Sequence, residues 1–332
     1  METAVKLRWV GLLVLLAMVA YGALWFELSH RLESGLGETL DALAARGFEV
    51  EMGEMQRSGF PHQVSIVTGG LDLRAARAEP ALRARASDLK LTIHPWRFDR
   101  LLGQAQQIGL ERGGLRFIAP RADITAERAG DGRRITLALD AGSLLDASED
   151  APLLRMTDVQ AALLLAEEDG SEETGLLEPA RARISMQSRG LRFVRAEGDG
   201  GLDELRLNAV LHGRIAMPWG RHALEQWRDE GGTLDIEELR LVWDDAALAA
   251  QGSLSLDEAL RPLGALTVTL DNPARLLDRL RSAGWIDPRL AAQLRPLLAS
   301  LPRSDAGAGD LSLPVSLQNG QVFLAGLPIA RF

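Results

Sequence analysis

The feature that most constrains this chain is a pattern repeated along most of its length: a turn residue, then a short segment in which apolar and polar side chains alternate. Because successive side chains of a strand point to opposite faces, each segment has one apolar face and one polar face. Short segments of this kind, separated by Gly and Asp turns, predict one long antiparallel sheet. They include Gly70–Arg74, Asp88–Ile93, Gly114–Ile118, Ile135–Leu139, Gly190–Val194, Asp203–Val210, Leu234–Val242, Gly252–Leu256, Ala265–Leu270 and Leu311–Leu317.

The polar positions of these segments carry many charged residues, whereas the apolar positions carry mainly Leu, Val and Ile. One face of the predicted sheet is therefore wet, and the other has to be covered. The sheet can fold over itself, take helices onto this face, or accept a ligand there. The predicted fold is mainly β (α+β): a long curved antiparallel sheet folded over an apolar face, with an N-terminal transmembrane helix and stalk and few capping helices.

An uncharged run of 18 residues, Trp9–Phe26, precedes the strands. As a helix it rises about 27 Å, close to the roughly 30 Å of hydrocarbon in a bilayer. Lys6 and Arg8 stand before it, and basic residues favour the cytoplasmic side. The run predicts a transmembrane anchor whose aromatic residues mark the two interfaces: Trp9 at one, and Tyr21, Trp25 and Phe26 at the other. A cleaved signal peptide is the alternative.

After the run, leucines recur every three or four residues, which predicts one helical stripe: Leu28, Leu32, Leu36, Leu40 and Leu43. Arg46-Gly47 is a typical helix end, and Gly35 and Gly37 allow a local break. The predicted organisation is a cytoplasmic N-terminus (1–8), a transmembrane anchor (9–26), an amphipathic stalk helix (27–46) and an exported β-rich domain (47–332).

Three further helices are predicted. One covers Trp219–Glu230. Near the C-terminus, Asn272-Pro273 and Asp287-Pro288 each pair an N-cap residue with a proline suited to the first helical position. Pro296 is expected to kink or end the last helix. Because both C-terminal helices carry leucines on one face, we expect them to cap the sheet.

Composition and motifs remove several classes of function. The formal charge of −9 is spread along the chain without a basic block, so nucleic acid is not an expected partner. The chain has no cysteine, and its five histidines lack zinc-site spacing. The sequence also lacks a nucleophile elbow, a phosphate-binding loop and a dinucleotide fingerprint. We therefore predict that it is not an enzyme, with no catalytic, cofactor-binding or metal-binding residue.

Four segments carry a resemblance to a known family: Arg46–Pro61, Leu89–Arg97, Gly113–Arg121 and Leu313–Pro328. Behind an N-terminal anchor, they resemble the bacterial family called domain of unknown function 2125. The motif residues are structural: Ser58, Gly59, Phe60, Pro61, Pro95, Trp96, Asn319 and Gly320. The resemblance implies no activity and no functional residue. A more distant likeness to AsmA-like envelope proteins implies a groove in which a curved sheet shelters acyl chains.

Together these observations predict a single-pass protein of the bacterial inner membrane, with a cytoplasmic N-terminus and a periplasmic domain. The first hypothesis for its function is binding or passing lipid or another hydrophobic envelope molecule. The alternative is an envelope scaffold or assembly factor that binds another protein, and a hydrolase is the least favoured. The sequence leaves open the ligand, the protein partner, the oligomeric state and whether the apolar face is covered.

Overall fold

The computed structural model describes residues 2–75, 80–130, 132–166, 181–194, 201–215, 220–282, 286–300 and 311–331, and the backbone alone for residues 2–14. The described part is mainly β, with one large antiparallel sheet and four helices. The helices are α1 (Glu2–Ala45), α2 (Arg221–Asp229), α3 (Pro273–Ser282) and α4 (Pro288–Ser300). The strands are β1 (Glu49–Met52), β2 (Met55–Ser58), β3 (Val64–Thr68), β4 (Leu71–Ala75), β5 (Leu82–Ala86), β6 (Asp88–His94), β7 (Arg97–Arg112), β8 (Leu115–Ala129), β9 (Gly132–Asp146), β10 (Ala151–Ala166), β11 (Arg181–Phe193), β12 (Gly201–His212), β13 (Thr233–Trp243), β14 (Ala246–Leu256), β15 (Pro262–Asp271), β16 (Leu311–Gln318), β17 (Gln321–Leu324) and β18 (Leu327–Arg331).

The strands follow one another across the sheet in chain order, and the pairings of the described residues are all antiparallel. The consecutive segments β1 and β2, β3 and β4, and β5 and β6 each form one bent strand. Both segments of such a strand pair with the same neighbouring strand in an unbroken register. For example, Ile66 lies opposite Leu91 and Leu71 lies opposite Ala86. The sheet is thus an open up-and-down meander, which confirms the predicted antiparallel β architecture.

Several strands are longer than the predicted segments, and β7 and β10, of 16 residues each, lie where the sequence pattern predicted no strand. Strands were missed or predicted too short because the alternation changes phase inside them. Gln107 in β7 and Asp158 in β10 have positive φ angles of 46° and 50°. Both strands continue through these residues, and their register with the neighbouring strands is the same before and after them. In β8, Ala119 and Ala122 are three residues apart, so strict alternation would place them on opposite faces of the sheet. Both are buried in one apolar cluster, so they lie on the same face.

Helix α1 is continuous through both the predicted anchor and the predicted stalk, and Gly35 and Gly37 do not break it. Just after its end, the Phe48 amide donates a hydrogen bond to the Leu43 carbonyl oxygen (3.1 Å). Leu43 also packs against the buried Phe48 and Ala75, so the C-terminal end of α1 rests on the sheet. Among the described residues, no helix combines the length and the hydropathy needed to cross a membrane.

Helices α3 and α4 begin at the two prolines that the sequence indicated. The Asp287 carboxylate accepts a hydrogen bond from the Arg289 amide (2.7 Å), as an N-cap residue does. Pro296 does not end α4, which continues to its last residue four positions later. Leu294 and Leu298 lie on either side of the proline and pack against the main apolar cluster, which contains the buried Leu276, Leu311 and Leu313. This packing stabilises the helix although the proline cannot donate a backbone hydrogen bond.

Helix α2 corresponds to the predicted helix Trp219–Glu230, of which Trp219 lies outside the described residues. The buried Trp227 fixes it to the sheet, because its Nε1 donates to the His212 carbonyl oxygen (2.7 Å). A Cβ added at Gly232 would lie 2.2 Å from the Trp227 ring, so glycine is required where the chain passes this side chain.

Candidate functional site

One face of the sheet is apolar along rows of residues that lie opposite one another from strand to strand. We call the face formed by two such rows the apolar face. The first row is Ile66, Leu91, Gly103, Ile124, Leu137, Ala161, Met186, Leu207, Leu239, Ala250, Val268 and Leu313. The second row is Val64, Ile93, Leu101, Ala126, Ile135, Leu163, Ile184, Ala209, Ile236, Gly252, Leu266 and Val315. At a strand spacing of about 4.8 Å, each row is about 50 Å long.

The opposite face carries polar side chains in the same register. The row next to the first apolar row is Lys90, Gln104, Asp123, Ala138, Gln160, Gln187, Arg206, Arg240, Ala249, Thr269 and Ser312. Neighbours in this row bond to each other: Gln104 Nε2 donates to Asp123 Oδ1 (3.1 Å), for example. The sheet therefore separates a hydrated face from an apolar one, as the alternating pattern predicted.

Helices cover the apolar face at its ends. In a cluster that extends from β10 to β18, Leu276 of α3 is buried with Leu311 and Leu313, and α4 packs onto the same cluster. At the other end, Leu43 of α1 packs against Ala75 of β4. Between these ends the large apolar side chains are only half-buried, namely Leu137, Leu163, Met186, Leu207 and Leu239. The middle of the apolar face thus still presents apolar surface.

The first edge of the sheet is joined to α1 by the aromatic residues that the sequence placed at a membrane interface. The Tyr21 hydroxyl donates to the Pro61 carbonyl oxygen, and Trp25 Nε1 donates to the Gln63 carbonyl oxygen (2.8 Å). The Trp25 ring also meets the edge of Phe60 with centroids 5.5 Å apart. Local sequence patterns do not predict these contacts, because the partners lie 38 and 40 residues apart.

Two more residues extend this junction. The Arg57 guanidinium lies 5.7 Å from the centre of the Phe26 ring, within reach of a cation–π contact, and Arg57 forms an ion pair with Glu33 of α1. Trp9 belongs to the same helix, but its side chain lies outside the described part. The structure therefore brings Tyr21, Trp25 and Phe26 to the Ser58–Pro61 turn.

The turn itself has a backbone shape that only glycine adopts easily. Gly59 has a φ of 99°, and a Cβ there would lie 2.7 Å from the Gln63 carbonyl oxygen. The Phe60–Pro61 peptide bond is cis. The turn leads into β3, where Val64 and Ser65 are completely buried. The predicted structural motif Ser58, Gly59, Phe60 and Pro61 thus shapes the junction between α1 and the sheet.

The remaining motif residues lie in two hairpins. Pro95 is buried and Trp96 is exposed in the turn between β6 and β7, where the Trp96 ring stacks on His94 with centroids 5.3 Å apart. Asn319 and Gly320 form the turn between β16 and β17 and have φ angles of 53° and 71°, as a two-residue hairpin turn requires.

Residues 25–332 match the family described as "Uncharacterized protein conserved in bacteria (DUF2125)". The chain belongs to the DUF2125 family. The match begins within α1 at Trp25 and covers the strands of the sheet. No curated protein and no solved structure gives a significant match. The likeness to AsmA-like envelope proteins stays a prediction.

This DUF2125 chain also has a concavity of about 880 Å³ where the first strands bend, but its charged groups are already paired. Asp72 bonds to Arg83 (2.5 Å) and Arg74 (2.9 Å), and these hydrogen bonds hold the pKa of Asp72 well below its ordinary value. Arg85 likewise pairs with Glu111 (2.7 Å). In the described ranges, no group of three or more His, Asp or Glu side chains could hold a metal ion. The apolar face is therefore the stronger candidate site.

Proposed function

We propose that this protein is anchored to the bacterial inner membrane by α1 and that its periplasmic sheet binds or passes lipid, or another hydrophobic envelope molecule, along the apolar face. In this proposal the sheet curves around that face. The single observation that carries it is the pair of uninterrupted apolar rows whose large side chains are only half-buried in the middle. The activity requires no nucleophile, general base or metal ion.

The energetics suit a ligand with long hydrocarbon chains. Burying one methylene contributes about 0.8 kcal/mol, so about ten methylenes contribute about 8 kcal/mol. Association costs about 4–15 kcal/mol in lost freedom, and a single short chain therefore binds weakly. The half-buried middle of the apolar face, from β9 to β13, spans about 19 Å at a strand spacing of about 4.8 Å, slightly more than the roughly 15 Å of hydrocarbon in one leaflet, so it has room for the length of one chain.

The membrane location is supported by the apolar surface of α1. Its exposed side chains include Leu15, Leu16, Met18 and Val19, which follow one another along the helix. A contiguous exposed apolar surface is typical of contact with a membrane or a partner. The uncharged run and the basic residues before it favour a membrane and an exported sheet.

The scaffold alternative rested on the two C-terminal helices as a docking surface for a protein. In the structure, their apolar residues Leu276, Leu280, Leu294 and Leu298 pack against the sheet, so these side chains serve the fold. This contact favours the lipid proposal, and the scaffold stays a prediction that rests on other surfaces.

Native mass spectrometry of the detergent-extracted full chain tests the proposal. We expect co-purifying lipid with the wild type and its loss with the double substitution Leu207→Asn and Leu239→Asn, which places two amides in the middle of the apolar face. Arg206→Gln, one residue away on the polar face, is the matched control and should keep the lipid. A wild-type chain without lipid, or lipid retained by the double variant, would refute the proposal.

A further inference from the structure

Two turns lie side by side at one end of the sheet. Val64, the first residue of β3, lies opposite Ile93, which lies two residues before the Pro95-Trp96 turn between β6 and β7. The Ser58–Pro61 turn leads into β3, so it stands next to Trp96. Helix α1 reaches the same end, because Tyr21 and Trp25 bond to the segment that connects this turn to β3.

This end carries the exposed aromatic side chains of the described residues. Phe60 and Trp96 are each 61% exposed and Phe98 is 70% exposed. The fourth, Phe26, belongs to the adjacent part of α1 and is 62% exposed. Other large aromatic residues, such as Trp227 and those of the main cluster, are buried or half-buried. Leaving a large apolar side chain in water forgoes about 1.5–3 kcal/mol, so this concentration at one end requires an explanation.

We propose that Phe60, Trp96 and Phe98, which we name the aromatic edge, insert into the interface of the lipid bilayer. The proposal rests on the proposed membrane anchoring by α1. A bilayer is the occupant because the aromatic edge is continuous with the exposed apolar residues of the helix. Tryptophan and phenylalanine suit the headgroup boundary, and the exposed Arg97 between Trp96 and Phe98 can reach lipid phosphates.

The aromatic edge also borders the beginning of the apolar face. Ile93 and Leu101, two members of its second row, lie on the strands that Trp96 connects. Bilayer contact here places the first strands of the apolar face at the membrane surface.

The chain contains no cysteine, so one introduced cysteine is the only labelling site. We would attach a nitroxide to Trp96→Cys or Phe98→Cys in the full chain, reconstituted into vesicles of phosphatidylethanolamine and phosphatidylglycerol. Leu115→Cys and Val194→Cys are the matched controls, because both apolar residues are exposed (44% and 43%). Leu115 begins β8 and Val194 directly follows β11, at the end of the sheet opposite to Trp96. Power-saturation spectroscopy then compares access of oxygen, which partitions into lipid, with access of a water-soluble nickel chelate.

The oxygen-to-nickel ratio should be severalfold higher at positions 96 and 98 than at both controls. Equal ratios at the four positions would overturn the aromatic edge, even where lipid co-purifies with the apolar face. A high ratio without co-purifying lipid supports the aromatic edge and refutes the proposed function. Circular dichroism of each labelled chain checks folding, and both tested side chains are so exposed that their removal breaks few contacts.

Discussion

Leu207 and Leu313 offer a direct measure of how open the apolar face is. Both leucines belong to the first apolar row, but Leu313 is 3% exposed under the C-terminal helices whereas Leu207 is half-buried. Leu313→Ala removes buried methyl groups and leaves a cavity, so it should destabilise the fold by about 2–5 kcal/mol. Leu207→Ala loses about half of the free energy gained by burying a leucine side chain and leaves no closed cavity, so it should destabilise the fold by about 1 kcal/mol.

Urea unfolding of the delipidated full chain, followed by far-ultraviolet circular dichroism, gives the two free energies. Arg206→Ala on the polar face is the control and should change stability by less than about 0.5 kcal/mol. Adding lipid should raise the cost of Leu207→Ala towards that of Leu313→Ala, because a bound chain completes the burial. If both leucines cost the same without lipid, the middle of the face is closed and our reasoning is wrong.

Three further predictions follow from local geometry. Gly59→Ala should destabilise the fold by about 1–3 kcal/mol, because Gly59 has a positive φ angle and an added Cβ would meet the Gln63 carbonyl. Gly37→Ala in α1 is the control: its Cβ meets no neighbour, so it should stabilise the fold by up to about 1 kcal/mol. Thermal unfolding of both variants measures the two changes. Trp25→Phe keeps an aromatic side chain but removes the hydrogen bond from Nε1 to the Gln63 carbonyl oxygen, which should cost about 1 kcal/mol of stability. Hydrogen exchange of the amides in the Ser58–Pro61 turn should become faster, and unchanged exchange would contradict this prediction. The ion pairs of Asp72 lower its pKa in the folded state, so they stabilise the fold fully above its unfolded pKa of about 3.9, and this contribution is lost as the pH falls further. Asp72→Asn should therefore be less stable than the wild type at neutral pH, and the difference in stability should shrink only in strong acid. Unfolding curves of both proteins at several pH values measure this difference.

Much of the local structure could be predicted from local chemistry. The alternation in Gly114–Ile118 predicts a strand, the proline after Asp287 predicts a helix start, and Asn319-Gly320 predicts a hairpin turn; all three are observed. These features depend on a few consecutive residues and on backbone preferences that act within them. The lengths of the strands were not predictable in the same way, because a residue with a positive φ angle, such as Gln107, changes the phase of the alternation inside a strand and resembles a strand end.

The sequence by itself determined that most of this chain forms antiparallel strands with one apolar face, since the side-chain period and the turn residues are encoded locally. Only the tertiary structure decided how those strands align into continuous apolar rows, where helices cover them and where they stay half-buried. It also decided that Trp25 bonds to a turn 38 residues away and that Phe60 and Trp96 share one end of the sheet. Such arrangements are sums of many weak contacts between distant segments, so no single stretch of sequence specifies them.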